Sequence, residues 1–458
     1  MGNVHFISIG GSVMHSLAIS LKKIGYNVSG SDDKLYEPSA SRLKLHGLYP
    51  NSLGWDTNNI NDNLDFVILG MHAKKDNPEL LKAQDLGLEI YSYPDFIFKV
   101  SQTKTRIVIG GSHGKTSITS MILHVLQNIN IKVDYVLGAQ LDGFENTVSL
   151  SDDNEFIIIE GDEYLSSPID SSPKFFKYKA NIALISGISW DHINVFESPQ
   201  VYANQFSLFI DTIVDGGVVV YNELDTTVKD IVMNNQSFVR KIEYNLPDYN
   251  ISDNQIFINS DEGQIPLQIF GKHNLSNLEG ARKICSLLGV FDEDFYNSIS
   301  SFRGASKRLQ IIYNDHKNLL IRDFAHSPSK LKASVDAVRE TFTDSFIIAV
   351  YELHTFSSFN SNFINQYSGT LDNCDLPIVF FDKKNNKLDS SYTINNESIS
   401  NAFNIPNLIV IDNPDDLFSY LFSMEYNKTC LLLMSSGNFG SMDIDKLKSH
   451  ISLSLIHI

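Results

Sequence analysis

Eight residues, Gly110-Gly111-Ser112-His113-Gly114-Lys115-Thr116-Ser117, follow the apolar run Ile107 to Ile109 and precede a helical stretch, Ile118 to Leu126. Glycines at 110, 111 and 114 let backbone N–H groups approach an oxyanion with no Cβ in the way, and the helix aims its positive end at the same spot. Lys115 then supplies a point charge for the β- and γ-phosphates of a nucleotide, and Thr116 a hydroxyl for magnesium. The spacing departs from the strict phosphate-binding loop, whose outermost glycine would fall on Ile109. The plainer alternative is a glycine-rich strand-to-helix turn carrying a surface lysine.

Other residues downstream have the types and positions to join such chemistry. Phe156 to Ile159 runs into Glu160-Gly161-Asp162-Glu163, and a carboxylate ending a buried strand behind a phosphate loop is placed to hold magnesium; Glu160 takes that role. The run Ile182 to Ile185 leads to Asp191-His192, where a neutral imidazole could ligate a second divalent ion or be hydrogen-bonded in a loop. Asn274 and Asn277 stand three apart on one helical face, where two amides can read an adenine edge or a phosphate; Asn274 or His273 could equally be a cap. Arg303, Lys307 and Arg308 form a basic cluster, and the strand after them ends in Asp323, an acceptor for a ribose, with His326 just beyond. At the start of the chain, Gly10-Gly11-Ser12 is half of a dinucleotide turn, since His15 stands where the third glycine belongs. It admits a nucleotide or nucleotide-sugar diphosphate at the helix start with Asp32 near a ribose or uracil, or only a tight turn.

Positioning these groups requires alternating strands and helices. The first hundred residues read as strand Val4 to Ile9, helix Val13 to Ile24 closed by Gly25, a strand to Gly30, apolar runs Phe66 to Leu69 and Leu88 to Tyr91, and a helix Asn77 to Leu86 between the last two. A polar patch, Ser101 to Lys104, sets the first boundary. The middle segment has strands at 106–109, 156–159, 182–185 and 217–221 and closes on the amphipathic helix Leu275 to Leu288. The third, from residue 301, has strands at 319–321, 346–351, 378–381, 408–411 and 431–434, with Lys383 to Ser400 expected as a long polar loop. The alternation predicts an α/β fold with parallel sheets and three domains, 1–103, 104–300 and 301–458.

Length and composition agree with a chain of roughly two to four domains. No apolar run approaches the roughly 18 residues of a membrane span, and the first strand follows Met1 with no leader, so no membrane insertion is expected. Cys285, Cys374 and Cys430 have no metal spacing and read as buried thiols of a reducing compartment, the cytosol. A net charge of -18 repels phosphate backbones, which argues against nucleic acid and means that any anionic ligand is met by local donors.

Taken in order, Gly111 to Thr116, the Glu160 strand, Asp191-His192, His273-Asn274 with Asn277, and Arg308 with Asp323 and His326 resemble the Mur ligase family over nearly the whole chain. The resemblance implies an N-terminal Rossmann-like domain for a UDP-sugar, a central P-loop ATPase-like parallel sheet, and a C-terminal Rossmann-like domain that takes the acceptor and closes over ATP. It implies ATP and Mg2+, with Lys115, Glu160, His192, Arg308 and His326 catalytic and the metal at Thr116, Glu160 and His192. ATP would be met by Gly111, Ser112, His113, Gly114, Lys115, Thr116, Ser117, Asn274, Asn277, Arg308 and Asp323, and the UDP-sugar by Gly10, Gly11, Ser12, Asp32 and His72.

Ile9-Gly10-Gly11 with Met14 and Leu17-Ala18 is similar to members acting on UDP-N-acetylmuramate. Two kinds of member share it, one adding L-alanine and one adding the tripeptide L-Ala-γ-D-Glu-meso-diaminopimelate recovered from the cell wall. Glu160 to Tyr164, Lys174 to Tyr178, Met71 with Asn77 to Leu80, Asp323 to His326 and Met434 to Gly440 look like the peptide-adding kind. L-alanine-adding members resemble one another in a His-Arg-aromatic-x-Arg stretch whose arginines clamp the amino-acid carboxylate. Here the run is His354-Thr355-Phe356-Ser357-Ser358, without either arginine. The L-alanine ligase is the alternative within the family. Outside it stand a P-loop switch or binding protein, of the sort that reads guanine through Asn-Lys-x-Asp, and a dehydrogenase built on the N-terminal half-motif.

Overall fold

The computed structural model describes residues 2–141, 143–190, 195–261, 263–305, 308–315, 317–359, 363–383 and 395–453. They form two compact units, Met1–Asn245 with Asn277–Ser298, and Leu246–Ser276 with Ile299–Ile458.

The first unit contains two parallel-rich sheets. One has the order Asn27–Ser31, Asn3–Ile7, Phe66–Leu69, Glu89–Ser92, all parallel. Helix Ser12–Lys23 buries Met14, Leu17, Ala18 and Leu21, a spacing that puts all four on one face. The larger sheet runs Arg240–Tyr244, Val218–Asn222, Ile182–Ile185, Thr105–Gly110, Phe156–Glu160, Asp134–Val136, Val148–Ser149, parallel except for the last pair. Its central strand, Thr105–Gly110, carries the glycine loop at its carboxyl end. Ile109 lies opposite Glu160 on one side and Gly110 opposite Ile185 on the other, so the three loops that follow these strands emerge together.

Between the two sheets, the polar patch 101–104 is held by one buried side chain. The Arg106 guanidinium donates to the carbonyls of Tyr178 (2.9 Å), Lys179 (3.1 Å), Ser101 (2.8 Å), Gln102 (3.3 Å) and Lys104 (3.1 Å). All five of these acceptors are neutral carbonyls, and burial lowers the pKa of the guanidinium from its ordinary value.

In the second unit a six-stranded sheet has the order Gln310–Asn314, Leu319–Asp323, Thr429–Met434, Phe346–Glu352, Leu376–Phe380, Ile409–Ile411, antiparallel only in its first pair. The last strand in the chain is therefore inserted between two earlier ones, which brings Asp323, Glu352 and Ser435 to one edge.

Three expectations need correction. The first strand ends at Ile7, not Ile9, because Ser8 turns to a φ of +67°. The chain is not uniformly parallel: Tyr249–Ser252, Gln255–Ser260 and Gly263–Leu267 form an antiparallel sheet, and Leu165–Ser167 pairs antiparallel with Asp170–Pro173. The stretch 383–400 is not all loop, since a helix, Asn396–Phe403, starts inside it. A reciprocal cap between Asn395 and Ser398 begins that helix, and Ile399, Ala402 and Phe403 are buried on one face. Among the described residues no helix is long and apolar enough to cross a membrane, and the three cysteines are free thiols.

Candidate active site

The glycine loop is built so that side chains cannot enter it. Gly111 and Gly114 have φ of +134° and +82°; a Cβ on Gly111 would overlap Ser186 Oγ, and one on Gly114 would meet Asn277 Oδ1 at 2.5 Å. Gly114 is the N-cap of helix Lys115–Asn128 and gives it no side-chain cap, which leaves first-turn N–H groups directed into the loop. The loop is braced from the neighbouring strand's end: Ser112 N–H donates to Gly187 O (2.9 Å), Ser189 N–H to Ser112 Oγ (2.8 Å), and Ser186 Oγ–H to His113 O. Ser117, the next residue on the helix, is buried.

Charge gathers behind this cradle. Lys115 Nζ lies 2.8 Å from Glu163 Oε2 and 2.5 Å from Gly111 O, while Glu163 Oε1 accepts from Tyr202 O–H (2.7 Å), itself 2.9 Å from Ser112 Oγ. Burial works to lower the Lys115 pKa, but Glu163, Asp162 and Glu160 outweigh it and hold the ammonium above its ordinary value. Asp162 is paired with Lys174 at 2.5 Å. Thr116 Oγ1 lies 3.2 Å from Glu160 Oε2. These are hard oxygen donors, two rather than a full cage, which is what magnesium shared with phosphates and water takes. The donor set and the glycine cradle thus fit a magnesium-bound triphosphate. Among the described residues no group of three or more His, Cys, Asp or Glu side chains gathers as a metal cage.

The expected sugar residues line one groove in the same unit. Gly10, Gly11, Asp32 and His72 border a cavity of about 590 Å³ together with Tyr36 and Trp55. Gly11, Ser12 and His72 also border a second cavity, of about 280 Å³, which Lys115, Glu160, Asp162 and Lys174 line as well. Met14 and Met71 belong to both. Asp32 is already engaged, since its Oδ2 accepts from Gly10 N–H at 2.8 Å; burial holds its carboxyl above the usual range against that bond.

Of the remaining candidates, Asn277 belongs to the first unit, Asn274, Arg308, Asp323 and His326 belong to the second, and others lie outside the described residues. Asp191 and His192 lie outside, as does Lys307. Asn277 is buried against Gly114 in the first unit, whereas the Asn274 amide, inside the helix rather than capping it, donates to Phe270 O (2.9 Å) in the second. Asp323 accepts from Leu309 N–H (2.9 Å), Ala325 N–H (3.1 Å) and Ser334 Oγ–H (2.6 Å), so its carboxylate fixes its own loop. Arg308 stacks over the Phe324 ring at 4.8 Å. His273 is a neighbour of both: burial lowers its pKa, Asp323 opposes and Arg308 adds to the shift. His326 Nδ1 pairs with Phe324 O (2.8 Å) and Nε2 with Lys330 Nζ (3.2 Å), which makes Nδ1 the protonated nitrogen. His354, Ser436 and Gly437 meet where the Gly437 Cα faces the His354 ring and Glu352, with Phe439 N–H donating to Glu352 Oε2 at 2.9 Å.

Glu163, Tyr202 and Lys174 carry more of the site than the spacing of motifs suggested. The letters Asn-Lys-x-Asp do occur, at Asn386-Lys387-Leu388-Asp389, outside the described residues.

Comparison with known proteins bears on what this groove does. Residues 3–105 match the Mur ligase family catalytic domain and residues 109–284 the Mur ligase middle domain. A UDP-N-acetylmuramate–L-alanine ligase from Sulfurihydrogenibium sp. (strain YO3AOP1) is 31% identical, covering 82% of each chain, and one from Caldicellulosiruptor bescii is 32% identical, covering 83% of each. Among solved structures, a murein peptide ligase from Psychrobacter arcticus 273-4 aligns with a TM-score of 0.63 at 20% identity, over 100% of this chain and 99% of that one. A UDP-N-acetylmuramate-alanine ligase from Thermotoga maritima aligns with a TM-score of 0.68 at 19% identity, over 100% and 99%.

Proposed function

The chain belongs to the Mur ligase family, and from that premise we propose that it joins the lactyl carboxylate of UDP-N-acetylmuramate to the amine of L-Ala-γ-D-Glu-meso-diaminopimelate. Members of the family are ATP-dependent ligases that form amide bonds in peptidoglycan synthesis, and this chain is such an enzyme. One observation carries the proposed donor: the cavity that Gly11, Ser12 and His72 line together with Lys115 and Glu160. It supports a sugar nucleotide lying along the groove with its carboxylate delivered to the phosphate loop.

In that arrangement ATP lies in the Gly111 to Ser117 cradle, and the carboxylate takes its γ-phosphoryl group, releasing ADP. Lys115 neutralises the transferring group, and the braced loop amides orient it without reorganisation. Thr116 and Glu160, with His192, would hold magnesium, whose chemistry is to draw together anions that otherwise repel. The amine then attacks the acyl phosphate carbon, the C–N bond forms, and inorganic phosphate leaves with the C–O bond. Asn274, Asn277, Arg308 and Asp323 are assigned to the nucleotide, and His326 to the amine. His326 Nε2 can take that proton only after Lys330 withdraws. A nucleotide-sugar donor and ATP place the reaction in the cytoplasm.

The acceptor rests on residues 355 and 358. Thr355 and Ser358 stand where an L-alanine carboxylate would want arginines, which favours the tripeptide. The names of the relatives at 31% and 32% identity favour L-alanine. Supplying ATP, UDP-N-acetylmuramate and each amine separately, with mass spectrometry of the product, decides. Ligation of the tripeptide but not of L-alanine is expected, and the reverse overturns the acceptor assignment.

A further inference from the structure

Beneath the sugar groove lies a charged residue that cannot touch any ligand. Glu79 is 0% exposed and His5 is 1% exposed. A carboxylate buried that completely is costly unless it is met by donors, and here one oxygen, Oε1, takes three of them while Oε2 has only the imidazole of His5 nearby. Glu79 Oε1 accepts from Ser31 Oγ–H (2.7 Å), from Asp56 N–H (3.0 Å) and from the Asn59 amide (3.1 Å). Oε2 faces His5 Nε2 at 3.4 Å.

Two of those partners, and Glu79 itself, adjoin walls of the groove. Ser31 precedes Asp32, Asp56 follows Trp55, and Glu79 itself is in the first turn of the helix that Asn77 caps, Asn77 Oδ1 accepting from Glu79 N–H at 2.9 Å. Asp32, Trp55 and Asn77 all line the cavity of about 590 Å³. A further bond, Gly54 N–H to Asp32 O (2.8 Å), closes two of the walls on each other. One carboxylate therefore ties together three segments that are far apart in the chain and that converge only at this cavity.

We propose that Glu79 is a positioning residue for the sugar nucleotide, setting the distance between the Asp32, Trp55 and Asn77 walls so that the groove is pre-shaped before the ligand arrives. This rests on the reading that the groove holds UDP-N-acetylmuramate. A pre-formed site binds without the ordering that a loose one requires, so loss of the tie weakens capture of that ligand and leaves the chemistry at Lys115 alone. ATP is unaffected, because its cradle hangs on the other sheet.

The test is steady-state kinetics with ATP and UDP-N-acetylmuramate varied in turn, and calorimetry of UDP-N-acetylmuramate binding to the intact protein. Glu79→Ala is expected to raise KM and Kd for UDP-N-acetylmuramate by roughly tenfold, with kcat and the ATP KM within about twofold of the parent. Glu79→Gln, which keeps an acceptor oxygen facing the three donors, is expected to restore most of that loss. An unchanged UDP-N-acetylmuramate KM in Glu79→Ala overturns the proposal, as does an equal loss in both KM values and kcat. Should Glu79→Ala fail to fold, Ser31→Ala and Asn59→Ala each remove one contact; a rise of about two- to threefold in the sugar-nucleotide KM alone supports the tie, and no change in either overturns it. If the parent protein itself binds no UDP-N-acetylmuramate in the calorimeter, the donor assignment falls and this inference with it. Parent binding with unaltered variants overturns the inference alone.

Discussion

Two glycine-bearing turns between strand and helix face the same cavity, and they are made differently. At Gly111 and Gly114 the glycines are needed for backbone conformation, with φ in the left-handed half of the map, and carboxylates and a lysine crowd behind them. At Gly10 and Gly11 the backbone is ordinary: Gly11 has φ of -56°, and a Cβ on Gly10 is refused by Leu35 and Asp32. No lysine stands in that turn, and the Gly10 N–H is already bonded to Asp32. On the proposed reading, one turn neutralises charge and the other provides close approach. A glycine pair before a helix thus signals two physical needs, and only the surrounding side chains tell which one applies.

The sharpest way to break the comparison is to remove the charge. Lys115→Ala is expected to lower kcat/KM by about a hundredfold or more, roughly 3 kcal/mol, with an unaltered circular dichroism spectrum. Phosphate release near the parent rate in that variant sinks the assignment of the loop. Next in size are the glycines themselves. Gly114→Ala should raise the ATP KM by roughly tenfold and leave the sugar-nucleotide KM alone, and Gly10→Ala should do the reverse. Equal effects of both on both substrates would mean that the two turns do not divide the labour.

A smaller effect is expected from the brace. Tyr202→Phe removes the hydroxyl between Ser112 and Glu163, and should cost about 1 kcal/mol of stability by denaturant titration and a few-fold in kcat. The smallest concerns acid. Burial pushes the Asp162 carboxyl up, but Lys174 and Lys115 outweigh it and hold it below its ordinary 3.8. A carboxyl with a lowered folded pKa contributes stability above the unfolded value and loses it as pH falls through the folded one. Melting temperature in the parent should therefore drop as pH falls below the ordinary carboxyl value, and Asp162→Asn should flatten that part of the curve. Identical acid limbs would remove the ion pair from the account.

How much of this was legible in the chain depends on whether the signal was local. The strand, loop and helix from Ile107 to Leu126 could be read because glycine, lysine and threonine follow an apolar run in a fixed order. Glu160 could be placed beside it because parallel sheets collect the carboxyl ends of their strands. Tyr202 could not: it sits on the ordinary amphipathic helix Pro199–Asp211, and its bond to Glu163 spans 39 positions. Glu79 was hidden for another reason. An acidic residue in the first turn of a helix reads as a solvated cap, yet this one is the innermost charge of its sheet. Asp323 ends a strand, as expected, but nothing nearby in sequence announced that Ser334, 11 positions on and inside the following helix, would occupy its carboxylate. Antiparallel additions such as Tyr249–Leu267 went unread because they interrupt a rhythm that otherwise runs through the chain.

The seam at Arg106 has a practical consequence for anyone dissecting the molecule. Its guanidinium holds carbonyls from two stretches of chain, 101–104 and 178–179, some seventy positions apart. A cut made at residue 103, where composition invites one, would strand the rivet on one fragment and two of its sockets, Ser101 and Gln102, on the other. Chimaeras that exchange the first hundred residues with a relative must carry the arginine, the patch before it and the 178–179 bend as a single cassette.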